Sequence, residues 1–180
     1  SVDTSSPTCL QCTDATEFLR ILHGDQSVFE IRSLKCPEWR NSNKKSTASG
    51  WFTCLDAAAT AVSMLEDLEP AAIYCTLNPT LPILVGRCHN KVKFGGSTTS
   101  DKDIVRRTAI LIDPIRPANI SSTHAQVDLA LKLANEIEIS LLDANWPDPL
   151  KGMSGNGAYL IYRIDLEPDD NGLISECLQA

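Results

Sequence analysis

Apolar positions along this chain switch between a helical and an alternating spacing, and the switches mark out the elements. Phe18, Leu19, Ile21 and Leu22 give one side to a helix predicted from about Asp14 to Leu22, with Thr13 as its cap and His23-Gly24-Asp25 as its end. From Val28 to Leu34 the spacing becomes two: Phe29 and Ile31 face one way, Glu30 and Arg32 the other, as in a half-buried strand. Pro37 to Gly50 is polar, carries Arg40, Lys44 and Lys45, and reads as a solvated loop. Leu55 to Leu68, rich in Ala, Leu and Met, predicts a second helix, and Ala71 to Leu77 a short strand closed by Asn78-Pro79. A further helix is expected over Leu81 to His89, a polar loop over Gly95 to Asp103, and a buried strand over Ala109 to Ile112. Thr123 and Gln126 have the form of a capping box before a long helix from His124 to Ala144, where Val127, Ala130, Leu131, Ala134, Ile137 and Leu141 recur at helical spacing. A tight turn at Ser154 to Gly157, a strand from Ala158 to Ile164 and a short helix opened by Asp169-Asp170 complete the series. Helices alternate with strands, and the two clearest strands flank the long helix. The expectation is an α/β (α+β) fold with a single mixed sheet packed with helices.

Composition narrows the class. The chain has 180 residues, 43% of them hydrophobic, which suits one packed domain over 1–180 with residues 1–12 as a flexible N-terminal arm. No run of about 18 apolar residues suggests a membrane span, and Ser1 to Thr8 lacks the pattern of a signal peptide. The net charge of −7 argues against gripping nucleic acid through bulk electrostatics, but leaves room for a local basic groove or a site that gathers divalent cations. Seven cysteines at irregular spacing read as reduced thiols of a cytoplasmic protein. Cys9 and Cys12 are spaced like metal ligands, yet no second pair follows to complete a zinc site.

Four polar segments sit at strand ends or in loops, where function concentrates: Thr76 to Pro79, Ser97 to Arg107, Ile110 to Thr123 and Ser154 to Arg163. Each has two readings. Asp113, closing an apolar strand, is a rigidly held metal ligand or a turn former before Pro114. The Ser154-Gly155-Asn156-Gly157 stretch brings backbone N–H groups to a phosphate, or is a hairpin turn. Arg106 and Arg107 bind a triphosphate or solvate a strand start. Thr98 to Asp103 is a ligand-binding loop or a plain linker.

Taken in order, the Thr-Leu-Asn-Pro, Thr-Thr-Ser-Asp-x-Asp-Ile, Asp-Pro-x-Arg-Pro and Ser-Gly-Asn-Gly-Ala stretches make the chain resemble the bifunctional primase–polymerase N-terminal domain of phage, prophage and plasmid replication proteins. That family belongs to the archaeo-eukaryotic primase superfamily, and the resemblance runs from Glu17 to Asp170. It implies an archaeo-eukaryotic primase-like core and template-directed nucleotidyl transfer. It also implies Mg²⁺ or Mn²⁺ held by an Asp-x-Asp pair and a third acid, and nucleoside triphosphates with a DNA primer and template as partners. A helicase domain in a longer chain is a further expectation. By this resemblance Asp113 and Tyr159 take the catalytic positions, Asp113 being the metal ligand. Asn78, Thr98, Thr99, Asp101, Arg106, Arg107, Arg116, Ser154, Gly155, Asn156, Gly157 and Arg163 are the nucleotide-binding candidates. The chain departs from the family at three points. Leu111-Ile112-Asp113-Pro114 keeps one Asp of the pair, Tyr159 stands where the family has His, and the third acid would fall beyond Ala180. These departures lead to an expectation of weak or lost transfer, the alternative being a degenerate nucleotide-binding, nucleic-acid-binding or protein-interaction module.

Overall fold

In the computed structural model the described residues are 15–25, 27–113, 123–153 and 157–179. Helix α1 (Ala15–His23) puts Leu19 and Leu22 inward and ends at Gly24, whose φ of +65° suits a residue without a Cβ. Strand β1 (Phe29–Glu38) then turns back through Trp39 and Arg40 into β2 (Asn41–Phe52). After helix α2 (Leu55–Glu66) come β3 (Ala72–Cys75), a 3₁₀ turn at Pro82–Gly86, β4 (Lys93–Phe94) and a second 3₁₀ turn at Asp101–Asp103. Strand β5 (Arg107–Ile112), helix α3 (His124–Asp143), strands β6 (Leu150–Met153) and β7 (Ala158–Leu166), and helix α4 (Leu173–Gln179) follow.

The α+β class is as the pattern predicts, but the single mixed sheet is not. Among the described residues the strands form two sheets, one in the order β3-β1-β2-β4 and one in the order β5-β7-β6. The first is antiparallel throughout, and so is the β6–β7 pair. Strands β5 and β7 also run antiparallel: Arg106 and Arg107 at the start of β5 bind Asp165, Glu167 and Pro168 at the end of β7. Two compact units result, one over 13–109 and 164–180, the other including 110–163.

In the larger unit, the inner face of β1 and β2 meets both early helices. Phe29, Ile31, Ala48 and Phe52 pack with Leu19, Ala58, Ala61 and Leu65 in one apolar cluster, and Val28, Trp51, Leu84 and Cys88 form another. Gly50 is demanded by this packing: a Cβ there would fall 1.8 Å from the Lys91 carbonyl oxygen. The expected loop over Pro37 to Gly50 is instead most of a hairpin. Its outer half, Asn41 to Lys45, is exposed on both faces and held by backbone pairing with β1, so no alternation of apolar residues announces it. Likewise the helix expected over Leu81 to His89 shrinks to a 3₁₀ turn between Pro82 and Gly86.

In the smaller unit, Thr123 caps α3 as its sequence predicts. Its hydroxyl accepts the Gln126 N–H, and the Gln126 side chain accepts the Thr123 N–H at 2.9 Å. Strand β7 buries Ala158, Leu160, Ile161 and Tyr162, and Trp146 meets Tyr162 edge-on at 5.3 Å. Tyr159 lies directly across from Gly152 in the β6–β7 pair, and its ring covers the bare backbone there. A Cβ on residue 152 would sit 2.1 Å from the ring. Gly152→Ala is therefore expected to displace Tyr159 and destabilise the fold by about 1–3 kcal/mol, read by denaturant unfolding. Restored stability in Gly152→Ala/Tyr159→Ala is the matching outcome, because truncating the ring removes the clash.

Candidate functional site

Strand β1 shows opposite chemistry on its two faces. Phe29 and Ile31 enter the apolar cluster, whereas Glu30, Arg32 and Leu34 look the other way, as the alternation predicts. Across the β1–β3 pair Arg32 stands opposite Tyr74, and the Thr76 N–H donates to the Glu30 carbonyl at 3.0 Å. These side chains line a cleft of about 640 Å³ together with Asn78, Thr99, Ser100, Asp101, Ile104, Arg107 and Pro168. All of it lies within the larger unit.

The polar face is not solvated as its sequence suggests. Glu30 has no solvent exposure and accepts three hydrogen bonds. Two come from Arg32, Nε at 3.2 Å and Nη2 at 2.7 Å, and the third from the Thr99 N–H at 2.9 Å. Arg32 Nη2 also donates to the Thr99 carbonyl at 3.0 Å, and Trp51 Nε1 donates to the Thr99 hydroxyl at 3.0 Å. A buried carboxylate is tolerable only when paired and fully bonded, and here one loop residue and one arginine meet that demand.

The rest of the rim is braced in the same manner. Asp103 accepts the Ser100 N–H at 2.9 Å and the Ser100 hydroxyl at 2.8 Å. Those bonds, the backbone one first, with Arg87 and Lys102 adding attraction, hold the Asp103 carboxyl below its ordinary range. Asn78 Oδ1 accepts the N–H groups of Thr108 at 2.7 Å and Ala109 at 3.0 Å, fastening the Thr76–Pro79 segment to the start of β5. Arg107 donates Nε to the Pro168 carbonyl at 3.0 Å and lies 3.7 Å from Asp170. Its two terminal nitrogens make no hydrogen bond among the described residues. Burial pushes the Cys75 thiol up to about 11, so at neutral pH it is a protonated packing group and no nucleophile.

Of the residues singled out in the sequence, Asn78, Thr99, Asp101 and Arg107 converge on this cleft. Thr98 stands beside it and accepts Arg87 Nη1 at its carbonyl, 3.2 Å away. Arg106 is engaged elsewhere, forked onto Asp165 and Glu167 on an exposed surface. Asp113, Gly157, Tyr159 and Arg163 belong to the smaller unit. Asp113 follows the last residue of β5 and Tyr159 is second in β7, so both fall at one end of the antiparallel β5–β7 pair. Arg116, Ser154, Gly155 and Asn156, like residues 1–12 and Thr13, lie outside the described residues. Glu30, Arg32 and Tyr74 were not among the candidates, although Thr76 lay in the Thr76 to Pro79 segment. The signal of Glu30 and Arg32 was the polar half of the β1 alternation, which looks the same whether that face meets water or a loop. Tyr74, in the short strand β3, carried no signal of its own.

No group of three His, Cys, Asp or Glu side chains suited to a metal ion occurs among the described residues. Asp113 is exposed and belongs to no such group among the described residues, which do not fit a cage for two divalent ions. No family model, curated protein or solved structure matches this chain. No helix among the described residues is long and apolar enough to cross a membrane.

Two measurements probe the rim. Asn78→Ala leaves two backbone donors without their acceptor and is expected to cost about 1–3 kcal/mol in unfolding free energy, while Asn78→Asp, which keeps an oxygen in place, retains most of it. For Asp103, a lowered carboxyl contributes stability above the unfolded value of about 3.9, and the contribution fades as pH falls through the lower folded value. The stability gap between wild type and Asp103→Asn is thus expected to be full near neutrality and to close below about pH 3.9. A gap that persists unchanged into strong acid contradicts the assignment.

Proposed function

We propose that this chain is a primase–polymerase-like domain of a mobile-element DNA replication protein, with a cleft that binds a nucleoside triphosphate and template-directed transfer that is weak or lost. The observation that carries this reading is convergence. Asn78, Thr99 and Asp101, drawn from two of the motifs that carry the resemblance, and Arg107, three residues beyond the second of them, line one cleft with a second arginine, Arg32, and an exposed tyrosine, Tyr74.

The chemistry of the lining suits such a ligand. Guanidinium groups match phosphate oxygens in geometry as well as charge, and Arg107 keeps both terminal nitrogens available while its Nε is tied back. Tyr74 is 55% exposed on the edge strand β3 and offers a flat apolar face to a base. Thr76, Thr99 and Ser100 add hydroxyl groups. The DNA primer and template, a helicase elsewhere in a longer chain and a cytoplasmic setting belong to the same proposal.

Transfer needs more than binding. Mg²⁺ or Mn²⁺ is the cofactor that the resemblance supplies to the reaction, with Asp113 its assigned ligand, but a single exposed carboxylate does not clamp both the attacking and the leaving oxygen. Tyr159, in the position of the family's His, is packed over Gly152 and carries no positive charge toward a phosphate. These two features favour, within the proposal, a domain that has kept nucleotide binding and lost most of its catalysis.

Fluorescent nucleotide titration and primer extension test the reading together. Wild type is expected to bind a nucleoside triphosphate, and Arg107→Ala to bind it about tenfold or more weakly while losing only about 1 kcal/mol of stability with the Pro168 hydrogen bond. Primer extension with Mg²⁺ or Mn²⁺ is expected to stay at background. No nucleotide binding by wild type removes the proposal, and robust extension by residues 1–180 removes its degenerate part.

A further inference from the structure

Glu30 presents a puzzle that stability alone does not solve. It has no solvent exposure, yet an apolar residue of similar size would fill the same place without a charge to bury. What the carboxylate adds is orientation. It grips Arg32 along one edge, Nε and Nη2, while the Thr99 carbonyl takes a second bond from Nη2. The guanidinium is thereby locked in rotation. Its remaining nitrogen, Nη1, has no partner among the described residues, the side chain keeps 30% of its exposure, and Arg32 lines the cleft. Arg107 is tied back on the same cleft by Nε alone, on the Pro168 carbonyl, and its terminal nitrogens have no hydrogen-bond partner among the described residues. One guanidinium locked along an edge and one tied by Nε, both lining one cavity, have the geometry that suits a multiply charged phosphate chain.

We propose that Arg32 contacts the phosphates of the bound ligand, with Glu30 as its positioning residue, so that the cleft takes the polyphosphate between Arg32 and Arg107. This rests on the nucleotide-binding reading and deepens it, since neither Glu30 nor Arg32 lies in the motifs that carry the resemblance.

Electrostatics and positioning predict opposite signs for one substitution. Removing the Glu30 charge takes a negative group from beside Arg32, which by Coulomb attraction alone strengthens anion binding. If Glu30 instead aims Arg32, Glu30→Gln weakens binding, because the amide can accept from one guanidinium nitrogen but presents its own N–H groups to the others. Arg32→Lys is the companion variant. It keeps the charge that pairs with Glu30 but replaces the planar fork with a point charge.

The experiment measures binding of inorganic tripolyphosphate and of ATP by calorimetry, with thermal unfolding of each variant alongside. Glu30→Gln and Arg32→Lys are each expected to weaken tripolyphosphate binding about tenfold. Arg32→Lys keeps one charge beside Glu30 but loses the bidentate pairing, so it is expected to lower the unfolding temperature while staying folded at the temperature of the binding measurement, where the folded fraction is checked and the affinity read. If Glu30→Gln does not fold, Arg32→Lys decides alone. Wild-type affinity in Arg32→Lys, or unchanged or tighter binding by Glu30→Gln, overturns the inference. Should Arg107→Ala lose binding while both of these variants keep it, the nucleotide-binding reading stands and only the inference falls. Should wild type bind neither probe, both fall.

Discussion

The larger unit is organised around one charge that water cannot reach. Glu30 lies in a strand whose other face is the apolar core, and its own face is closed by the loop that carries Thr99. A carboxylate so placed demands donors, and three N–H groups supply them. The donors come from Arg32 two positions along the strand and from a loop 69 residues away in sequence. Leaving such a carboxylate without its partner costs on the order of 3–5 kcal/mol, so the loop and the strand are committed to each other. Everything at the rim builds on that commitment. Trp51 holds the Thr99 hydroxyl, Arg87 stacks on Trp51 at 5.3 Å, and the same Arg87 reaches the Thr98 carbonyl.

Much of the secondary structure was legible because it repeats. The helices over Ala15–His23, Leu55–Glu66 and His124–Asp143 appear close to where apolar spacing and the Thr123–Gln126 box put them. The opposite faces of Phe29 and Ile31 against Glu30 and Arg32 were readable from alternation alone. What spacing could not convey was partnership. The outer half of β2 is polar on both faces, and β4 and β6 are only two and four residues long, so their existence depends on neighbours distant in sequence. With those strands unrecognised, one sheet was expected where two occur.

The candidate site divides in the same way. Asn78, Thr99, Asp101 and Arg107 were visible as motif residues because polar groups at strand ends stand out from an apolar background. Glu30 and Arg32 were visible too, but as a solvated strand face. Only the loop folded across them turns that face into a cleft wall. Arg106 and Arg107, adjacent and chemically alike, were indistinguishable in sequence. Strand alternation sends one to Asp165 and Glu167 at the surface and the other to the cleft.

Asn78 carries a consequence of a different kind. Among the described residues strand β5 is at one edge of its sheet, and an unpaired edge invites the strands of other molecules. The Asn78 side-chain oxygen takes the amide hydrogens of Thr108 and Ala109, the first backbone donors after Arg107. A single side chain thus stands in for a missing neighbouring strand at the place where β5 begins. The residue that braces the cleft rim also caps the first amide donors of an edge strand, so one side chain serves both the rim and the sheet edge.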